Sequence, residues 1–264
     1  MKKYLVIGNP IEHSLSPLIH NYWIKKNNID AIYEKEKLKK KDLGSMILKI
    51  KKKKIHGINV TVPFKNDIIT HLEKLTPEAE TTQSVNTVYL DNNTITGHNT
   101  DIDGFRFAIQ DIKFDVSNKL VLILGAGGVV PSIIHSLYKM KASKIILTNR
   151  TKKKAENLKK LFKDLEIINW GQIQKFDMII NATSIGLKAS DELKLDFSKF
   201  GKNKFFYDVI YNPKETNFLK NAKKLGNKIE NGKKMFIHQA AQAFKIWHQI
   251  EPEITNEINE MIDK

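Results

Sequence analysis

Residues 119–130 read KLVLILGAGGVV, an apolar strand-like run that meets three glycines within four positions and passes into VVPSIIHSLYKM, a run with helical spacing. A buried strand, a glycine turn and a helix, in that order, form the setting in which a G-x-G-x-x-G element holds a dinucleotide. Gly125 permits the tight turn and Gly127 lets the backbone approach a pyrophosphate, while the helix N-terminus offers amide donors and the positive end of its dipole. Val130 stands where the third glycine would be, so the turn taken alone also fits an ordinary strand-to-helix connection.

The end of the next strand, KIILTNR (144–150), carries more information. An NAD site places Asp or Glu about twenty residues beyond the glycines, to bind the ribose 2′-hydroxyl. Here the sequence is Asn149-Arg150-Thr151, followed by Lys152, Lys153 and Lys154. A carboxylate would repel a 2′-phosphate, whereas a planar guanidinium grips one and stacks on adenine. Of the 44 Lys+Arg only Arg106 and Arg150 are arginine, so arginine at this point selects NADP(H) over NAD(H). Lys152 and Lys153 fit a solvated helix face, and Lys154, one turn into the helix, is the second candidate phosphate contact.

Outward from this element the chain alternates strand-like and helix-like runs, which favours an α/β fold with mostly parallel sheets. YLVIG (4–8), AIYEKEKL (31–38) and HGINVTVP (56–63) read as strands, with a lysine-rich helix between the last two. SPLIHNYWIKKNN (16–28) reads as a helix with Ser16 as N-cap and Pro17 at its first position. SVNTVYLDNNTITG (84–97) reads as a hairpin turning at Asp91, Asn92 and Asn93, and DIDGFRFAIQDI (101–112) as a connecting helix. FDMIINATS (176–184) and KFFYDVIYN (204–212) are two further strands, and MFIHQAAQAFKIWHQI (235–250) is a helix.

The composition, 264 residues with 41% hydrophobic and 28% charged, is that of an ordinary soluble globular chain. The apolar run before Gly8 is too short for a signal-peptide core, and no stretch approaches the roughly 18 apolar residues that span a bilayer. Without cysteine there is no disulfide framework, thiol nucleophile or thiolate metal site. No His/Asp/Glu cluster has ligand spacing, so no metal is expected. A cytoplasmic enzyme is the default expectation. The net charge of +15 raises a nucleic-acid or membrane-surface partner. The lysines lack the interleaved aromatics of a strand-binding platform, however, and a field that steers small anions is the better use of them.

Five polar stretches remain: NPIEHSLSP (9–17), NVTVPFK (59–65), SVNT (84–87), GHNTD (97–101) and HQAAQAF (238–244). Each alone fits a cap, a turn or a helix surface. The first four fall at the ends of successive strands, where an open α/β sheet gathers its ligand groups. Hydroxyls at a helix N-terminus suit a carboxylate, amides suit hydroxyls, and Lys65 with Asp101 supplies a base and an acid. Pro63 lacks a ladder donor, so it should end its strand and let Lys65 project.

With these motifs in fixed order, joined by GAGG, NRT, NATS, YDVIYNP and QAAQAF, the chain resembles the shikimate dehydrogenase family over nearly its whole length. That resemblance implies NADP-dependent reduction of 3-dehydroshikimate to shikimate by two α/β domains with a cleft between them. Residues 1–100 with 236–264 would bind substrate, and 101–235 would form a Rossmann-type NADP domain. It puts Ser14, Ser16 and Tyr211 on the substrate carboxylate, Thr61, Asn86 and Gln239 on ring hydroxyls, and Lys65 and Asp101 beside the reacting C3 oxygen. Gly125, Ala126, Gly127 and Gly128 would face the pyrophosphate, with Asn149, Arg150, Thr151 and Lys154 around the 2′-phosphate. Thr183, Gly232 and Met235 would neighbour the adenosine or nicotinamide portions. Ile102, Pro131, Lys233 and Lys234 depart from the commoner pattern, none at a residue assigned to chemistry.

A lysine is ordinarily charged near neutral pH and suits proton donation in the reducing direction, and an acid beside it would orient it. The sequence leaves open which of the two finally carries the proton. It also leaves two rivals: a quinate/shikimate paralogue using NAD, and a non-catalytic nucleotide-sensing or nucleic-acid-binding protein. Arg150 argues against the first, and the presence of both Lys65 and Asp101 against the second. Monomer and homodimer are both compatible with these residues.

Overall fold

The structure is a computed structural model and describes residues 1–263. The chain forms two compact units, Met1–Gly104 together with the chain from Ile237 onward, and Phe105–Phe236. No helix among the described residues is long and apolar enough to cross a membrane.

The first unit begins with β1 (Lys2–Gly8), α1 (Ser16–Lys26), β2 (Ala31–Lys37), α2 (Leu43–Lys51) and β3 (Gly57–Val60). It continues with β4 (Lys74–Leu75), α3 (Pro77–Thr82), β5 (Thr87–Asp91) and β6 (Thr94–His98), and α4 (Asp101–Asp111) leads out of it. The sheet order is β2-β1-β3-β5-β6-β4. It is mixed, because β5 runs antiparallel to both β3 and β6. The stripe Leu43, Met46, Ile47 and Ile50 of α2, at helical spacing, covers Leu5, Ile7, Ile58 and Val60.

Two expectations need correction. SVNT lies at the start of β5, not at a strand's end; the antiparallel register sets Thr87 opposite Asn59 and His98, so it still faces the ends of β3 and β6. Pro63 does not end β3. The strand closes at Val60, and the Phe64 amide folds back on the Thr61 carbonyl at 3.0 Å, so Pro63 sits inside a turn formed after the ladder has finished.

The second unit holds β7 (Leu120–Leu124), α5 (Val130–Lys139), β8 (Lys144–Thr148), α6 (Lys152–Leu161), β9 (Glu166–Ile168) and β10 (Met178–Asn181). β11 (Phe205–Asp208), α7 (Asn217–Lys224) and β12 (Lys228–Glu230) complete it. Every pairing is parallel and the order is β12-β11-β10-β7-β8-β9. That is the doubly wound order, with its switch point between β7 and β10, where such sheets bind nucleotides at the carboxyl ends of the strands. The strands read as continuous apolar runs because helices bury both faces: Val121 and Ile123 pack with Ile133 and Leu137, and Leu122 and Leu124 with Phe218 and Leu219.

Helix α8 (Lys233–His248) brings the chain back to the first unit, followed by α9 (Asn256–Asp263). Trp23 donates from Nε1 to the Glu253 carbonyl at 3.0 Å, and Trp247 sits so close to β3 that a Cβ on Gly57 would collide with its indole. His20 is buried in the same cluster, stacked on Tyr33 with ring centroids 4.1 Å apart and with no hydrogen-bond partner on either ring nitrogen among the described residues. Burial, with a smaller push from His248, lowers its pKa to about 3. The unfolded chain therefore binds a proton between about pH 6.5 and 3 that the folded chain refuses. Stability is full above that window and falls with pH inside it, by on the order of 5 kcal/mol at the acid end. His248, also lowered by burial, to about 4, adds to the same trend. His20→Phe should flatten the loss of melting temperature between pH 7.5 and 4.5; an equal loss in variant and wild type would place the acid lability elsewhere.

Candidate active site

Three strand ends and one strand start meet at one end of the first sheet. Asn9 donates from its amide to the Val62 carbonyl (3.0 Å), Val60 to the Asn86 carbonyl (2.8 Å), Asn86 to the His98 carbonyl (3.1 Å) and Val85 to the Lys65 carbonyl (2.9 Å). These bonds hold the turn that carries Lys65 against the loop that precedes α4. Lys65 Nζ lies 2.5 Å from Asp101 Oδ2, with the two side chains only 10% and 7% exposed. A buried pair is tolerated only when its remaining polar atoms are also satisfied. Asn86 Nδ2 donates to Asp101 Oδ1 and to Thr100 Oγ1, both at 2.9 Å. Asp101 opens α4, so its carboxylate also sits at the positive end of a helix. Asn86, which the resemblance puts on a ring hydroxyl, thus has its amide group on Thr100 and Asp101.

The serine loop is fixed from the other side. Ser16 opens α1 instead of capping it: the cap position is Leu15, which makes no side-chain cap bond, and Ser14 Oγ accepts the Ser16 amide at 3.3 Å. The first turn of α1 contains no acidic residue, which leaves it suited to an anion. Glu12, which the sequence reading quotes but does not assign, braces the loop. Its carboxylate accepts from Lys37 Nζ (2.7 Å) and from the Ile11 amide (2.9 Å), and Lys35 donates to its carbonyl. The Lys37 bond and the Glu12 and Ile11 amides hold the carboxyl down at about 2. Gly8 is a second omission: a Cβ there would stand 2.6 Å from Thr61 Cγ2, so only glycine lets β1 end beside Thr61. Direct bonds thus join Lys65, Asn86 and Asp101; Thr61 starts the turn that carries Lys65, whereas Ser14, Ser16 and the half-buried Gln239 stand on other segments of the same unit.

In the second unit Gly125 has φ +107°, and a Cβ on it would press on the Ala182 carbonyl at 2.8 Å, so the turn needs glycine where β7 meets the end of β10. Gly127 is different: the nearest atom to a Cβ there is 3.6 Å away, so protein packing does not require it. A glycine that packing does not demand and the first turn of α5, with neither a side-chain cap nor an acidic residue, fit a pyrophosphate. Ala126 packs partly on the core beside them.

At the end of β8, Asn149 Nδ2 donates to the Thr151 carbonyl (2.8 Å), and Thr151 stands at the N-cap of α6 without a side-chain cap bond. The exposed side chains of Arg150 and Lys154 make no hydrogen bond or ion pair among the described residues, and the first turn of α6 has no acid. A cationic, uncapped helix start of this kind suits a phosphate. Thr183 donates to Asn181 Oδ1 at 2.7 Å and accepts the Ile185 amide at 3.1 Å. Asn181 in turn donates to Asp208, whose pKa burial raises to about 6 against the bonds from Thr216, Ile210 and Asn181. Tyr211 stacks on Phe236 at 4.6 Å, and burial pushes its phenol up to about 12, so it stays a neutral donor. Gly232 approaches the Val209 carbonyl too closely for any Cβ, and Met235 is packed in the core of its unit.

Comparison with known proteins gives this arrangement a family. A model of the shikimate dehydrogenase substrate binding domain matches residues 6–88, and one of shikimate / quinate 5-dehydrogenase matches residues 108–209. The shikimate dehydrogenase (NADP(+)) of Pelagibacter ubique strain HTCC1062 is 58% identical over 262 residues, covering 99% of each chain. The chain belongs to the shikimate dehydrogenase family. Among solved structures, the shikimate dehydrogenase of Aquifex aeolicus superposes with a TM-score of 0.91 at 38% identity, covering 99% of this chain and 97% of its own. The shikimate 5-dehydrogenase of Thermus thermophilus, in complex with NADP(H) and shikimate, gives 0.90 at 28% identity, with 99% and 98% coverage. Shikimate dehydrogenases are oxidoreductases, and the doubly wound second unit is the Rossmann-type half of their fold.

Proposed function

We propose that this chain catalyses the reversible NADPH-dependent reduction of 3-dehydroshikimate to shikimate, with Lys65 and Asp101 as the acid–base pair at the C3 oxygen. The observation that carries the assignment is the buried Lys65–Asp101 contact at 2.5 Å, with Asn86 on the second carboxylate oxygen. A lysine ammonium has three hydrogens; Asp101 takes one and orients the others toward the substrate. The bound nicotinamide supplies the hydride. Lys65 supplies the proton that the developing C3 alkoxide needs, and Asp101 holds the amine in place as the charge changes. In the oxidising direction the same pair accepts the proton.

Ser14 and Ser16 receive the substrate carboxylate at the start of α1, assisted by the neutral phenol of Tyr211, while Thr61 and Gln239 meet ring hydroxyls. Asn86 fixes Asp101 and, with Thr61 and Gln239, faces the ring hydroxyls. Gly125, Ala126, Gly127 and Gly128 with the start of α5 receive the pyrophosphate, and Asn149, Arg150, Thr151 and Lys154 the 2′-phosphate. Thr183, Gly232 and Met235 wall the adenosine and nicotinamide portions. The cytoplasm is the proposed location, supported by the biosynthetic character of the family.

Absorbance of the reduced nicotinamide tests this with shikimate or quinate as substrate and NADP⁺ or NAD⁺ as acceptor. Fast reduction with shikimate and NADP⁺ alone is the expected result. Preferential turnover of quinate with NAD⁺, or silence in all four combinations with folded protein, would overturn it.

A further inference from the structure

Behind Asp101 the first unit buries a line of polar side chains that the proposed chemistry does not itself use. Tyr33 is 1% exposed and Thr87 0%, with Asn59 between them. Tyr33 donates from its hydroxyl to Asn59 Oδ1 at 2.6 Å. Asn59 Nδ2 donates to the Asn86 carbonyl and to Thr87 Oγ1, both at 3.1 Å. Thr87 Oγ1 then donates to Asn86 Oδ1 at 3.0 Å, and Asn86 Nδ2 to Asp101 Oδ1 at 2.9 Å.

Two backbone groups set the direction of every link. The Asn86 carbonyl can only accept, so Asn59 must present its NH2 to that side and its oxygen to Tyr33. The Thr100 amide can only donate, at 2.8 Å, so Asn86 must present Oδ1 to it and NH2 to Asp101. With Asn59 donating to Thr87, the threonine proton goes to Asn86 Oδ1 at 3.0 Å, the nearer of its two acceptors, Thr100 Oγ1 lying 3.4 Å away. All arrows therefore run toward the Asp101 carboxylate, which takes Lys65 on its other oxygen. Hydrogen bonds aligned head to tail in a poorly screened interior polarise one another. Burial keeps the Tyr33 phenol neutral, and the Ser16 hydroxyl reaches it, so the line starts beside the serine proposed for the substrate carboxylate.

We propose that Tyr33, Asn59 and Thr87 are positioning residues: a one-way hydrogen-bond relay that fixes Asn86 against Asp101 and so aims Lys65. This rests on the assignment of Lys65 and Asp101 as the acid–base pair. Removing the Thr87 hydroxyl takes one donor from Asn86 Oδ1 and one acceptor from Asn59 Nδ2, so Asn86 is held by Thr100 and Asp101 alone, Asn59 by Tyr33 and the Asn86 carbonyl alone, and both amides are fixed less tightly.

The test compares Thr87→Val, Thr87→Ser and Tyr33→Phe with Asp101→Asn, by kcat and KM for shikimate and NADP⁺ and by thermal unfolding. Thr87→Val should lower kcat about tenfold with both KM values within about twofold, as loss of one buried hydrogen bond in the reacting state implies. Thr87→Ser, which keeps the hydroxyl, should restore kcat to within about twofold, and Tyr33→Phe, at the far end, should cost about threefold. The relay is overturned if Thr87→Val keeps wild-type kcat, if serine is as slow as valine, or if the loss falls on KM alone. Should Thr87→Val fail to fold, Tyr33→Phe decides: a wild-type kcat there also overturns the relay. Asp101→Asn separates the two claims, because normal turnover in that variant defeats the acid–base assignment itself, whereas slow turnover beside a normal Thr87→Val defeats only the relay.

Discussion

Lys65→Ala is expected to lower kcat by about 10² or more while KM for shikimate moves by no more than a few-fold, the signature of losing a group that acts in the transition state. The geometry argues for a proton donor rather than a binding contact. The ammonium is nearly buried and held by one carboxylate, and that carboxylate is itself fixed by Asn86. Truncation leaves Asp101 buried without its counter-charge, which costs about 3–5 kcal/mol of stability when a buried pair is broken. Rates must therefore be read below the melting point of the variant. Lys65→Arg separates the two effects: guanidinium keeps the charge and much of the stability but hardly releases a proton, so kcat should stay low. Turnover within a few-fold of wild type in both variants would reduce Lys65 to a binding residue.

Arg150→Ala is expected to raise KM for NADPH by about tenfold to a hundredfold while changing that for NADH by no more than about twofold, the loss of a charge-assisted phosphate contact. Arg150 is exposed and makes no hydrogen bond or ion pair among the described residues, so the substitution should leave stability within about 0.5 kcal/mol. Equal losses for both nucleotides would place the guanidinium away from the 2′-phosphate.

The second unit was legible because its decisive signals are local. β7, the Gly125 turn, α5, β8 and Arg150 follow one another within 119–150, and the period of each element carries its assignment. β9 and β12 escaped because three residues are too few for a pattern. In the first unit the alternation of strands and helices was readable, but the reversal of β5 was not: a strand's own residues do not state its direction. Lys65 and Asp101 lie 36 positions apart, and the motifs that carried the family resemblance joined them. Glu12 went unassigned because its anchors, Lys35 and Lys37, look like any other surface lysines until β2 is placed beside the serine loop. Asn59 and Tyr33 were hidden for the same reason, since their meaning depends on a partner 26 positions away.

The central claim is that Lys65 and Asp101 act as one unit, and a double-mutant cycle of kcat tests it most directly. Wild type, Lys65→Ala, Asp101→Asn and the double variant would be assayed with shikimate and saturating NADP⁺. The predicted result is strong non-additivity, with the double variant about as slow as the slower single one. Losses that multiply would contradict it, because two residues that each slow the reaction independently do not share one proton transfer.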